Sequence, residues 1–129
     1  ILYTKPQITE GAEIQKIAEQ NKPNEENEDR PVVALGDMRV NLKAEGDKPH
    51  FAVFNSSIEC IDDDSKSRLE SQKDRLVDRL IAIFNRKSKE ELSTVQGRMI
   101  MNEEILKDFN EVLGAGSVTN VFYSTFVVQ

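Results

Sequence analysis

His50 and Cys60 are the one histidine and the one cysteine of this chain, so a thiol nucleophile activated by an imidazole base would have to be built from these two side chains. Both fall in the run His50 to Ile61, which reads as a strand. On one continuous strand, ten residues at about 3.3 Å each hold them about 33 Å apart, beyond hydrogen-bond reach. That spacing favours a turn histidine at the surface and a buried thiol packed as a small hydrophobe.

Asp62, Asp63 and Asp64 offer the oxygen ligands that calcium and magnesium prefer. The run lacks the twelve-residue loop with its glycine and closing glutamate, and the sequence fixes no second carboxylate cluster beside it. Placed directly before a helical segment, it reads as helix-capping acid instead. Asn55-Ser56-Ser57 fits a glycosylation acceptor, but it sits inside a predicted strand and reads as a chance match. Glu90-Glu91 and Glu103-Glu104 are neighbours on helices, where successive side chains point about 100° apart and do not converge on one proton. They read as solvated faces. The sequence has no glycine-rich phosphate loop, no G-x-S-x-G and no Cys/His cluster for zinc. The expectation is a protein that is not an enzyme and takes no cofactor or metal.

The elements that would carry these residues fall into two regions, 1–31 and 32–129. In the first, Thr9 caps a helix running to Gln20, with Ile14, Ile17 and Ala18 as a narrow apolar stripe and Ile8 packing across its first turn. Asn21 to Pro31 has no apolar side chain except its prolines and reads as a solvated linker with a mean reach of about 18 Å.

In the second region, Val33, Leu35, Met38, Val40 and Leu42 read as extended, with a break of phase at Gly36-Asp37 that predicts a β-bulge. A turn at Glu45 to Pro49 favours an antiparallel return along His50 to Ile61. There Phe51 and Val53 give way to Phe54, Ile58 and Cys60, so a bulge or bend is expected near Asn55. Lys66 to Arg86 reads as one long helix with Leu69, Leu76, Leu80, Ile83 and Phe84 inward. Ser88-Lys89-Glu90-Glu91 matches a capping box and opens a short turn through Leu92. Gln96 and Gly97 read as a joint before a last helix striped by Met101, Ile105, Phe109 and Val112 or Leu113, which stops at Gly114.

A terminal strand follows, apolar or β-branched on both parities: Val118, Phe122, Phe126 and Val128 on one, Val121, Tyr123, Thr125 and Val127 on the other. It reads either as a central strand buried within the domain or as one whose second face is covered by another chain. The fold class expected is α+β, a small mainly antiparallel sheet with helices packed on one side, in the order strand, strand, helix, short helix, helix, strand.

With 129 residues, 38% apolar and 31% charged, the chain fits one domain with one core. Seventeen basic against 23 acidic residues give a net charge of -6, and no tryptophan and two tyrosines are available for stacking. Nucleic acid is therefore not an expected partner. The longest apolar run, Leu80 to Phe84, is far shorter than the ~20 residues that cross a bilayer. One cysteine makes no internal disulfide.

Four phrases carry a family resemblance: MRVNLKAEG from Met38, SKEELSTVQGR from Ser88, EILKDFNEVL from Glu104, and the ending VTNVFYSTFVVQ. In that order and spacing, from Val33 to Gln129, they resemble the periplasmic domain of the FliL family of bacterial flagellar basal-body proteins. The resemblance implies a stomatin/prohibitin-like core and a domain that assembles with copies of itself into a ring. It also implies contact with flagellar stator units of the MotA/MotB or PomA/PomB type, on the periplasmic side of the inner membrane. In the family a transmembrane helix precedes the domain, so this chain, which opens at Ile1, is expected to be a soluble piece; Ile1, Leu2 and Tyr3 read as the last turn of that span. Gly97, Asn110 and Phe126 match the family pattern and read as structural.

An interaction surface, not a catalytic centre, is thus the candidate site. On the long helix, Arg68, Asp74, Arg75, Asp78, Arg79 and Arg86 alternate in sign opposite the leucine stripe. Arg68, Arg75 and Arg79 are the candidate self-association or partner residues, the competing reading being a solvent face laced by ion pairs. A generic stomatin-like membrane scaffold unrelated to motility is the alternative function, and a soluble enzyme with an unrecognised pocket is a third.

Overall fold

The computed structural model describes residues 29–129; the helix expected over Thr9 to Gln20 and most of the Asn21 to Pro31 linker lie outside the described residues. Strand β1, Val32–Asn41, and strand β2, Phe51–Cys60, pair antiparallel, with Val33 opposite Ile58 and Val40 opposite Ala52. Ala34 faces Ser57 while Gly36 faces Ser56, so Leu35 is the extra residue of a bulge, and Gly36 supplies the positive φ of 88° that it needs. The bulge explains the break of phase in the sequence. Val33 and Leu35 point into the core before it, and Val40 after it, although their parities differ.

Strand β3, Val118–Val128, pairs antiparallel with the other side of β2, giving the order β1-β2-β3. The phase shift expected within β2 near Asn55 is not there: Ala52, Phe54, Ser56, Ile58 and Cys60 all face the core on one parity. The irregularity lies on the partner. Asn55 faces Thr125 and Ser56 faces Tyr123, leaving Ser124 over; Glu59 faces Asn120 and Cys60 faces Val118, leaving Thr119 over. Two bulges on β3 therefore select Val118, Val121, Tyr123, Phe126 and Val128 as the core-side set, across both parities read from the sequence.

The terminal strand is also an edge of the sheet, not its centre. Its other face leaves Phe122 43% and Val127 42% exposed. Aromatic and β-branched residues fit a pleated surface whether or not it is covered, which is why composition alone did not tell an edge strand from a central one.

All the helices of the described residues lie between β2 and β3 in the chain: α1 Asp63–Ser71, α2 Lys73–Asn85, α3 Lys89–Leu92 and α4 Val95–Leu113. The single long helix expected from Lys66 to Arg86 is two, parted at Gln72, whose φ of -115° and ψ of 18° leave the helical region. The Ser71 hydroxyl donates to the Arg68 carbonyl at 2.9 Å, a back-bond that bends helices, and the apolar spacing carries no trace of it. Leu69 in α1 and Leu76, Leu80 and Phe84 in α2 are fully buried together with Met101, Ile105 and Phe109 of α4 against Phe54 and Ile58 of β2. Each such large side chain contributes about 1.5–3 kcal/mol by leaving water. Phe54 stacks on Phe84 with centroids 4.3 Å apart, and Tyr123 meets Phe126 edge-on at 4.9 Å.

The capping box is formed: the Ser88 hydroxyl accepts from Glu91 N–H at 3.0 Å, and the Glu91 carboxylate accepts from Ser88 N–H at 2.9 Å. Gly97 is not a joint but part of the first turn of α4, where its N–H donates to the Thr94 cap at 3.0 Å. A Cβ there would sit 1.8 Å from the Glu91 carbonyl oxygen, so only glycine lets α3 and α4 turn this tightly. Asn110 fastens the far end of α4 to the sheet, its amide donating to the Val118 carbonyl at 3.1 Å and accepting from Val118 N–H at 2.9 Å. The architecture is thus α+β, a three-stranded antiparallel sheet with helices packed on one face, and residues 31–129 form one unit.

Candidate functional site

The side chains with catalytic potential are separated or engaged in structure. His50 and Cys60 lie at opposite ends of β2. The His50 ring faces two acceptors, the Gln129 carbonyl from Nδ1 and the Glu45 carboxylate from Nε2, each at 3.3 Å. Cys60 is fully buried, and desolvation, reinforced by Asp62, pushes its thiol pKa up, away from the thiolate a nucleophile needs. Asp62 caps α1 by accepting from Ser65 N–H at 2.8 Å, a bond that holds its carboxyl below the usual range. No group of three or more His, Cys, Asp or Glu among the described residues could hold a metal ion. Asn55 donates its amide to Asp37 at 2.8 Å on the outer face of the sheet.

The glutamates read as solvated faces are more specific than that. Glu91 closes the capping box, and Glu104 takes Lys87 at 2.8 Å and Arg86 at 2.7 Å, which hold its carboxyl below the ordinary range. Local spacing shows the Glu91 box but holds no pointer to the Glu104 pairs, because Arg86 and Lys87 lie just after α2 and Glu104 lies on α4.

Among the three candidate arginines, the geometry separates roles. Arg68 bridges the end of α4 to the following turn, donating to the Leu113 carbonyl at 3.3 Å, Ser117 Oγ at 3.1 Å and Ser65 Oγ at 3.0 Å. Arg79 makes a two-pronged pair with Asp108, both contacts 2.6 Å, tying α2 to α4. Arg75 is exposed and donates to Gln72 beside the helix break, at an open depression lined by Glu70, Lys73 and Asp74 as well.

A second surface escaped the sequence reading. The first two turns of α4 carry Val95 at 78%, Met99 at 58% and Ile100 at 53% exposure, with Arg98 among them. Arg98 is half-buried: Nε donates to the Leu92 carbonyl at 2.7 Å and the guanidinium carbon lies 4.2 Å from the Phe126 ring centroid. No carboxylate of the described residues pairs with it, and desolvation pushes its pKa down. A signal was available: Met99, Ile100 and Met101 are three consecutive apolar residues on a helix, and at about 100° per residue they cannot all join one inward stripe.

None of the helices among the described residues is long and apolar enough to cross a membrane. The geometry is that of a rigid unit offering surfaces. Comparison with known proteins agrees in kind: the family described as flagellar basal body-associated protein FliL matches residues 32–129. The flagellar protein FliL of Aquifex aeolicus (strain VF5) is 29% identical over 90 residues, which cover 70% of this chain and 55% of that protein. The chain therefore spans little more than half the length of this relative. With the family pattern running from the first residue of β1 to Gln129, through every strand and helix described, the chain belongs to the FliL family of flagellar basal body-associated proteins.

Proposed function

We propose that this chain is the periplasmic part of an inner-membrane FliL protein that associates with copies of itself and holds stator units of the flagellar motor in an active, torque-bearing arrangement. The observation that carries the reading is the match of the FliL family to the whole of 32–129. It also favours the flagellar role over a scaffold with no tie to motility. The domain acts by contact: residues 32–129 present the interface, and 1–31 space it from the membrane.

A contact role suits a unit whose elements are cross-tied by Arg79-Asp108 and Asn110-Val118, since a load-bearing part must keep its shape. Of Arg68, Arg75 and Arg79, the intermolecular role falls to Arg75, because the other two guanidiniums are engaged inside the fold.

The test is light-scattering mass against concentration for the chain, repeated with 1–31 removed and with a membrane anchor added, followed by capture of stator proteins. Concentration-dependent or membrane-dependent growth supports the reading, and Arg75→Glu should weaken it while leaving the circular dichroism spectrum unchanged. A strict monomer in all three forms removes self-association. Failure to retain stator proteins removes the stator role.

A further inference from the structure

The register of β3 fixes which of its main-chain groups face away from the sheet. Phe51 and Gln129 exchange both their hydrogen bonds at 2.9 Å, so in the antiparallel alternation Val127 and Thr125 also turn to β2, while Val128 and Phe126 turn their N–H and C=O outward. Beyond the extra residue Ser124, the outward set continues with Tyr123, Val121 and Val118. The start of this edge is closed from within. The Asn110 side chain takes both main-chain groups of Val118, and Asn120 Oδ1 accepts from Val121 N–H at 3.0 Å. Toward the other end, the outward main-chain groups of Tyr123, Phe126 and Val128 find no partner among the described residues. β3 has neither lysine nor proline, the residues that commonly guard an open edge.

The open end lies beside the exposed part of α4. In the helical layer α2 packs on β1 and α4 on β3. At about 100° per residue, Asp108 and Glu104 of α4 turn toward α2, where they meet Arg79, Arg86 and Lys87. Arg98 and Asn102 turn down to β3, to the Phe126 ring and the Tyr123 hydroxyl. Val95 and Met99 come next round the helix, on the flank away from α2, so they overhang the free edge of β3 while 78% and 58% exposed. Arg98 spends Nε on the Leu92 carbonyl and its face on Phe126. Glu104 is held by Arg86 and Lys87, and Glu103 points about 140° round the helix from Arg98, so neither supplies its counter-charge. Asparagines thus close one end of the edge, and the end left open is the one over which Val95, Met99 and Arg98 stand.

We propose that this open edge docks an extended strand of a partner protein, which pairs its main chain with Tyr123, Phe126 and Val128, lays apolar side chains under Val95 and Met99, and brings a carboxylate to Arg98. An added strand sends its side chains alternately under α4 and onto the outer face, beside Phe122 and Val127. Main-chain pairing supplies the affinity, and the apolar flank with the guanidinium selects an apolar and acidic alternation. The β3 edge of a second copy does not fit. Two paired strands stand about 4.8 Å apart, and an α4 over each would come closer than the roughly 8–10 Å at which helices pack. A strand with no helix above it meets no such limit. The assignment rests on the contact role proposed above and names the form of the partner.

The probe is a synthetic peptide alternating valine and threonine, with aspartate in place of one valine. One control carries lysine instead of the aspartate, and another carries N-methyl groups on the amides of one edge. Each is added to the 129-residue chain, and amide exchange is followed by NMR and affinity by fluorescence anisotropy. The aspartate peptide should slow exchange at Tyr123, Phe126 and Val128 about tenfold, and the lysine peptide should bind about tenfold more weakly. The N-methylated peptide should leave those amides unprotected. Val95→Asp with Met99→Asp should weaken the aspartate peptide about tenfold while the circular dichroism spectrum is unchanged. Should that pair disturb folding, Val95→Ser with Met99→Ser carries the same test. Amides that no peptide slows, or that the N-methylated peptide slows equally, overturn the strand pairing. Equal affinity for the aspartate and lysine peptides overturns the role of Arg98. Slowing that appears without peptide as the chain is concentrated gives the edge to a second copy and overturns the partner strand. A chain that binds no peptide yet self-associates and retains stator proteins overturns this assignment alone and leaves the proposed function standing.

Discussion

At the scale of single residues, side chains that look chemically similar in the sequence are set apart by what the fold puts beside them. Cys60 lies under the helices with its pKa raised by burial, so a thiol reagent should leave it untouched in the folded chain and label it fully in denaturant. Labelling of the native protein at a rate near that of the unfolded chain would overturn its buried placement. Gly97 is fixed by the neighbouring Glu91 carbonyl, not by backbone freedom, so Gly97→Ala should cost about 1–3 kcal/mol of stability by forcing α3 and α4 apart. Denaturant melting checks this. The residue types were legible in the sequence. The fully buried Ser56, facing Gly36 across the bulge, and the stacked Arg98 were not, because each depends on a neighbour from a different strand or helix.

Elements show the next level of legibility. Their types followed from periodicity, and both the Ser88 capping box and the Gly114 stop, with φ of 112°, fall where local rules put them. The junction of α4 with β3 depends on one amide: Asn110→Ala strands both the N–H and the carbonyl of the buried Val118, and should destabilise by about 1–3 kcal/mol. Asn110→Asp keeps the acceptor and loses the donor, so it should fall between wild type and alanine in thermal melting near neutral pH. Equal stability of all three would mean the clamp contributes nothing. The break at Gln72 and the two bulges of β3 were illegible for a common reason. A bend or one extra residue shifts phase by an amount that a short apolar pattern absorbs.

For the whole molecule, acid is the condition that tests the polar ties together. Asp62, Glu91 and Glu104 all have folded-state pKa values below their ordinary ones, through Ser65 N–H, Ser88 N–H and the Lys87 and Arg86 cations respectively. A carboxyl with a depressed folded pKa stabilises above its unfolded value and loses that contribution as pH falls through the folded value. Melting temperature should therefore be flat near neutrality and fall below about pH 4. Glu104→Gln should lower the plateau and flatten the acid limb, and an acid limb unchanged by that substitution would remove Glu104 from the account.

The sequence by itself determined the element types, most of the inward residues, the caps and membership of the FliL family, because those are written in spacings of a few residues. Tertiary structure alone decided which charges are available. Arg79 meets Asp108 across 29 residues, Arg68 meets Ser117 across 49, and Arg98 finds an aromatic ring and, among the described residues, no carboxylate. It also decided that β3 is an edge with Phe122 and Val127 facing outward. Such pairings are set when distant segments pack, and the free energy that selects them belongs to the joint burial of both partners, a quantity local spacing does not encode.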